Sequence, residues 1–201
     1  MLENKLNITN PVEFAQIEER MTKKKAIELF EKNILETFEI GNYRGLAQIH
    51  KYLFEDIYDF AGKLRTVDIS KSNFRFASTI YLKEALEKID RMPQNNFEEI
   101  INKYIEMNIA HPFREGNGRS TRIWLDIILK KQLNKVIDWR KVNKEDYLLA
   151  MERSPIKNTE IYTLLKNALT SKINDRDVYM KGIDASYNYE GYNSYTCEEI
   201  K

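Results

Sequence analysis

The run His111-Pro112-Phe113-Arg114-Glu115-Gly116-Asn117-Gly118-Arg119-Ser120-Thr121-Arg122 gathers an imidazole, a carboxylate, a carboxamide and, at its end, two guanidiniums within about a loop and one helical turn. Two of the chain's seven glycines and one of its two histidines fall there. That inventory suits a polyphosphate and a divalent cation beside a base, and therefore phosphate-ester chemistry on a nucleotide. Gly116 and Gly118 let the backbone turn sharply and bring its N–H groups close to an anion. Those groups lead into a helix N-terminus, which favours negative charge. Arg119 and Arg122 share a helix face, and arginine forks suit phosphate oxygens. Asn117, Ser120 and Thr121 join the glycines and arginines in the candidate nucleotide-binding set. Glu115, the only acid in the run, is a hard oxygen ligand that implies Mg²⁺ completed by phosphate oxygens and water. His111, with an ordinary pKa of about 6.5, accepts a proton near neutrality. The run is not a Walker loop, because the lysine-serine or lysine-threonine pair is missing. Nor is it a dinucleotide fingerprint, because a helix precedes it instead of a strand.

Helical periodicity dominates the segments that must position these groups. Phe97, Ile100, Ile101, Tyr104, Ile105, Asn108 and Ile109 keep the spacing of an amphipathic helix, with Asn96 as N-cap and Glu99 at the capping-box position. Pro112 disfavours the α region for His111, so this helix ends near Ala110 and His111 stands at its junction with the loop. A second helix runs from about Gly118 to Gln132. Ile123, Trp124, Leu125, Ile127, Ile128 and Leu129 cover most of its circumference, which makes it central. Further helices are predicted over 26–38, over 46–60, over 80–89, around Tyr147–Met151, over Thr159–Ala168 and from Gly182 to about Glu190. Residues 69–76 alternate at their end and read as a small β-hairpin flap. The stretch Tyr192–Lys201 reads as frayed. The fold class is therefore all-α, about eight helices with one flap.

Composition narrows the rest. The chain's 201 residues suit one domain, and its net charge of +1 gives no global field toward nucleic acid or membrane. No apolar run is long enough for a transmembrane helix, and the first residues lack a signal-peptide core. Cys197 is the only cysteine, which rules out an intrachain disulfide and reads as a reducing, cytoplasmic setting.

The catalytic run resembles the signature of the Fic family, H-x-F-x-[D/E]-G-N-G-R-x-x-R, at every specified position. Ile49 to Phe54 and Tyr58 to Arg65 are similar to the upstream helix of Fic domains, and Ile69 to Phe76 to their target-docking flap. The resemblance implies transfer of AMP from ATP to a hydroxyl of a target protein. His111 would be the base, Glu115 would hold Mg²⁺, and Asn117 with the Gly116–Gly118 backbone would cradle the phosphates. Arg119 and Arg122 would bind the β/γ end, and Phe113 would anchor the loop in the core. Members that transfer phosphate carry lysine where this chain has Gly118, so Gly118 favours AMP transfer. The alternatives are a phosphotransferase of the same fold and a non-catalytic nucleotide-binding regulatory module.

Ser186-Tyr187-Asn188-Tyr189-Glu190-Gly191 resembles the family's inhibitory motif, [S/T]-x-x-x-E-[G/N], in the position typical of class III, where the inhibitory helix comes last. The resemblance implies that Glu190 pairs with Arg122 and occupies the γ-phosphate site and that a homo-oligomer shields the helix; Tyr187, Tyr189 and Tyr192 crowd that helix and are either targets of self-AMPylation once it loosens, Tyr187 first, or residues that pack it onto the domain. It also implies bacterial protein targets, with type II DNA topoisomerase subunits as the named candidates. The corresponding layout is an N-terminal helical extension over 1–39, a Fic core over 40–181, an inhibitory helix over 182–192 and a tail over 193–201. Outside the motifs, Lys71 in the flap either reaches a nucleotide or target or is simply exposed. Asn108 either orients His111 or touches the nucleotide, and Leu148 and Met151 either wall the adenine pocket or belong to the core. His50 reads as a hydrogen-bonded packing residue.

Overall fold

The computed structural model describes residues 2–71 and 74–200, without the side chains of Lys71 and Phe74. The flap expected over 69–76 therefore has Ser72 and Asn73 outside the described residues, and so too the side chain of Lys71. Among the described residues eight α-helices carry the fold: α1 (Pro11–Glu31), α2 (Tyr43–Phe54), α3 (Thr79–Arg91), α4 (Phe97–Ala110), α5 (Asn117–Leu133), α6 (Lys144–Arg153), α7 (Thr159–Asn167) and α8 (Arg176–Tyr189). The flap pairs β1 (Ser70–Lys71) with β2 (Phe74–Arg75), Ser70 opposite Arg75.

α5 is the central element. Trp124, Leu125, Ile128 and Leu129 are fully buried, and α2, α4 and α8 pack around it. The Trp124 indole N–H donates to Asn42 O at 3.1 Å, which satisfies the one polar atom of that ring inside the core. Asn96 accepts from Glu99 N at 3.0 Å and so caps α4. Glu99 reaches back one residue further than a capping box requires, to Asn95 N at 2.7 Å.

Four elements differ from the reading of the sequence; the first is α2, expected over 46–60, which spans Tyr43–Phe54. α1 starts at Pro11, far before Ala26, and stops at Glu31, with Asn33 left-handed at φ 53°. Its first half hides from a hydrophobic-periodicity reading because its buried face is polar: Glu18, Glu19, Thr22 and Lys23 are all within 2% of full burial. α8 begins at Arg176, well before Gly182, with the Asp175 carboxylate accepting from Val178 N at 3.1 Å. Gly182 is an interior residue, where an added Cβ would lie 3.2 Å from Trp139 Cδ1; the glycine marks a close approach, not a start. A second ribbon pairs β3 (Val136–Ile137) with β4 (Leu169–Thr170), strands too short to show alternation.

The C-terminal stretch is not frayed. Ser194 N and Tyr195 N donate to the Glu19 carboxylate at 2.9 and 3.3 Å, and Cys197 N donates to Asp184 Oδ1 at 2.9 Å. Lys23 Nζ lies 3.1 Å from Glu19 and 3.2 Å from Asp184, and also donates to Tyr195 O. The anchor is an ionic cluster buried between α1 and α8, which apolar patterning does not reveal. Removing one member of such a cluster strands the others without water. Lys23→Ala is therefore expected to cost ~3–5 kcal/mol of stability, read as a lowered urea midpoint; an unchanged midpoint would show that the cluster does not hold the tail.

Candidate functional site

The site forms where α4 ends and α5 begins. His111 caps α4 in the left-handed region, φ 48° and ψ 63°, instead of the extended conformation that a following proline favours. Its Nδ1 lies 3.2 Å from Asn108 O. That contact assigns the ring proton to Nδ1 and the lone pair to Nε2. The ring stacks on Phe76, just past the flap, at 3.7 Å.

The loop between the helices is closed from within. The Asn117 carboxamide accepts from Phe113 N at 2.8 Å and donates to Phe113 O at 2.7 Å. Phe113 is fully buried and stacks on His50 at 3.8 Å. His50 Nδ1 accepts from Gly62 N at 2.9 Å, so Nε2 carries the proton and donates to Glu115 O at 2.8 Å. Gly116 has φ 76°, and a Cβ there would sit 2.5 Å from the Phe54 ring. Glu115 leaves the loop toward solvent, its side chain 42% exposed, with Oε1 accepting from Gly116 N at 2.9 Å.

The first turn of α5 divides the predicted nucleotide-binding residues. Ser120 and Thr121 are fully buried, and their hydroxyls donate back to Gly116 O and Asn117 O at 2.9 and 2.8 Å. Their side chains serve the helix and do not face the cleft. Asn117 is likewise committed to Phe113, so only its backbone is left for an anion. Arg119 turns away toward α1: its Nη2 lies 2.8 Å from Glu18 and 3.4 Å from Glu115, and its guanidinium stacks over Phe54, Tyr187 and Tyr192. The expected pair of phosphate-binding arginines is thus split.

Arg122 takes the other direction. Its Nε donates to Ser186 Oγ at 2.7 Å, and its Nη2 donates to Ser186 O and to Glu190 Oε1, both at 2.9 Å. Burial alone would lower its pKa, but Tyr147 and Glu190 outweigh this and hold the guanidinium above its ordinary value. Glu190 lies over the start of α5: a Cβ added to Gly118 would be 2.2 Å from Glu190 Oε1. Gly191, at φ 91°, stops α8 in a Schellman turn, with Tyr192 N donating to Tyr187 O and Gly191 N to Asn188 O, each at 3.0 Å.

A cleft of about 620 Å³ joins these groups. His111, Glu115, Gly116, Gly118, Arg122 and Glu190 line it, together with Asn117, Asn108, Leu148 and Met151. Asn108 also donates to Tyr104 O at 2.8 Å. Arg119, Ser120 and Thr121 are not in its wall. Neither is Tyr187, which is 1% exposed and packs under Lys23 and Arg119. Tyr187 is an anchor of α8 here, out of reach as a modification target while the helix stays docked. Tyr147, Tyr189 and Tyr192 lie outside the predicted nucleotide-binding set, the last two read from sequence only as modification targets or packing residues of the last helix. The first two flank Arg122, and Tyr192 joins the wall while its hydroxyl donates to Glu18 at 3.2 Å. For Tyr189 and Tyr192 the available signal was the crowd of tyrosines around the end of the last helix; Tyr147, on α6, carried none.

The donor set fits a divalent cation only in part. Among the described residues no three His, Cys, Asp or Glu side chains cluster, which excludes an all-protein cage there. A single carboxylate at Glu115, beside the N-terminus of a helix that attracts phosphate, suits an ion completed by phosphate oxygens and water.

A model of the Fic/DOC family matches residues 41–129. The chain is 29% identical over 215 residues to protein adenylyltransferase VbhT of Bartonella schoenbuchensis, covering 94% of this chain and 44% of that protein. It is 29% identical over 160 residues to the probable protein adenylyltransferase Fic of Escherichia coli K12, covering 72% and 75%. The chain thus spans less than half the length of VbhT and about three quarters of the Escherichia coli protein. The crystal structure of BepC from Bartonella tribocorum with bound AMPPNP superposes with a TM-score of 0.67 at 18% identity, over 85% of this chain and 92% of that one. The architecture is therefore the all-α Fic fold. No helix among the described residues is long and apolar enough to cross a membrane.

His50 makes the site's local order sensitive to acid. Burial lowers its pKa from 6.5 to about 3, against the opposing pull of the Glu115 carbonyl. The unfolded chain takes up this proton through an interval in which the folded chain refuses it. The contribution of His50 is full above pH 6.5 and is lost as pH falls toward about 3. In urea titrations, the stability advantage of the wild type over His50→Gln is expected to be larger at pH 7 than at pH 4; equal advantages would mean that His50 is not held neutral.

Proposed function

Starting from the Fic/DOC domain of residues 41–129, we propose that this chain is an autoinhibited protein adenylyltransferase, transferring AMP from ATP to a Tyr, Ser or Thr hydroxyl of a target protein. The observation that carries the reading is Glu190: its carboxylate sits on Arg122 at 2.9 Å and over the N-terminus of α5, where an anionic phosphate is favoured. A carboxylate of the chain itself stands in the place suited to the substrate's anionic end.

In the released state, His111 Nε2 takes the proton of the target hydroxyl. The hydroxyl oxygen attacks the α-phosphorus, the bond to the β-phosphate oxygen breaks, and pyrophosphate leaves. The first N–H groups of α5 meet the phosphates, and Arg122 neutralises the β/γ end once Glu190 withdraws. Glu115 would hold Mg²⁺, which would supply charge neutralisation for the phosphates. Arg119 supports the Glu115 carboxylate from behind instead of meeting phosphate itself. Leu148 and Met151 offer apolar surface to the adenine, and Gly118 leaves room that a lysine would fill. Self-modification at Tyr187 requires α8 to undock first. Bacterial proteins remain the target class, topoisomerase subunits included, and an oligomer that covers α8 would strengthen the brake.

The energetics are adequate. A hundredfold suppression needs about 2.7 kcal/mol of bias, and breaking a buried ion pair by removing one partner costs ~3–5 kcal/mol. Glu190→Gly is therefore expected to raise AMP transfer from α-labelled ATP to protein by at least about a hundredfold, with His111→Ala abolishing it in that background. Transfer from γ-labelled ATP in place of α-labelled ATP would indicate the phosphotransferase. ATP binding without either transfer would indicate a nucleotide-binding module.

A further inference from the structure

Arg65 follows the turn after α2 and is 5% exposed. Its guanidinium is shared among four backbone carbonyls. Nε donates to His111 O at 2.8 Å, Nη1 to Val67 O at 2.8 Å, and Nη2 to Ala110 O at 3.2 Å and to Ala77 O. Two of these carbonyls, Val67 and Ala77, bracket the flap. The other two belong to the last turn of α4 and to the left-handed residue that bears the imidazole. The backbone repeats the link: Arg65 N donates to Pro112 O at 2.9 Å, and Ala77 N to Ile109 O at 3.0 Å.

Each bond has a physical reason. The last carbonyls of a helix lack intrahelical partners, and a cation there complements the helix dipole. A left-handed conformation is costly for a non-glycine residue, so His111 at φ 48° needs an external tie. A planar fork of donors reaches acceptors on both sides at once, which the point charge of lysine does not. Asp68, 3.8 Å from Nη1, is the one carboxylate near the guanidinium among the described residues, and it accepts in turn from Thr79 N at 2.7 Å at the start of α3.

We infer that Arg65 is a positioning residue: it locks the flap to the backbone of His111, so that a target segment docked on the flap and the base that deprotonates it keep one fixed separation. The inference rests on the reading of His111 as the base. A displacement of about 1 Å between reacting groups is enough to cost about a hundredfold in rate, whereas the phosphate-facing start of α5 receives no bond from Arg65.

The test uses the full chain with Arg65→Met and Arg65→Lys, each with and without Glu190→Gly. In the Glu190→Gly background, kcat for AMP transfer is expected to fall about a hundredfold in Arg65→Met with KM for ATP within roughly twofold, and Arg65→Lys to recover part of the loss. In the wild-type background, imidazole NMR reads His111 directly. With two histidines in the chain, the buried His50 is the internal control: the His111 signals should move away from their position beside Phe76 while those of His50 stay. Unchanged His111 signals, an unchanged kcat, or an equal rise in KM for ATP would overturn the inference. Absence of transfer in Glu190→Gly alone would count against the enzymatic reading, and the His111 signals would still decide whether Arg65 positions that residue. If Arg65→Met does not fold, Arg65→Lys, which keeps the charge and the stem, is judged by the same two readouts.

Discussion

The exposed N–H groups at the start of α5 ask for a negative charge, and much of the molecule is arranged around that demand. A helix N-terminus presents unpartnered donors and about half a positive charge. Arg122 adds a full one on the second turn, nearly out of reach of water. Two positive features left facing each other in a low-dielectric cleft would repel and stay unsolvated. Glu190 answers both: its Oε1 pairs with Nη2 of Arg122 and lies above Gly118. α8 exists in the right place to deliver it because Gly182 lets the helix pass close to Trp139.

Arg119 and Arg122, in the run from His111 to Arg122, show how a shared face in sequence separates in space. Arg119 and Arg122 are three residues apart, but Arg119 meets Glu18 on α1 and Arg122 meets Ser186 and Glu190 on α8. Aromatic rings fix each choice, Phe54, Tyr187 and Tyr192 around the first and Tyr147 and Tyr189 around the second. One guanidinium therefore braces the loop from the inside while the other faces the cleft. The buried hydroxyls of Ser120 and Thr121 and the carboxamide of Asn117 likewise stabilise the turn that aims the backbone N–H groups.

The central helix, the end of α4 at Ala110 and the position of His111 at the junction were legible from periodicity, capping and Pro112. The gathering of Glu115, Gly118 and Arg122 beside His111 follows from their closeness in the chain. What escaped the sequence was polar and long-range. The first half of α1 buries Glu18, Glu19 and Lys23, so its inward face looks like an outward one until partners from α8 and the tail are known. The two-residue strands at Val136 and Leu169 carry no pattern to detect. The direction taken by Arg119 depends on Glu18, about a hundred positions upstream, and no local rule reports it. Asn117 could be assigned to the loop only when Phe113 was seen to fold back over it.

The buried cluster of Lys23, Glu19 and Asp184 clasps the segment that follows Glu190, while α8 holds the segment before it. Under the proposed function the carboxylate is a tethered competitor, fixed to the same chain at both ends. Its effective concentration at α5 is set by geometry and does not fall on dilution, unlike that of a free inhibitor. Any ligand or partner that displaces it must therefore work against a constant local excess, and does so most readily by loosening the clasp.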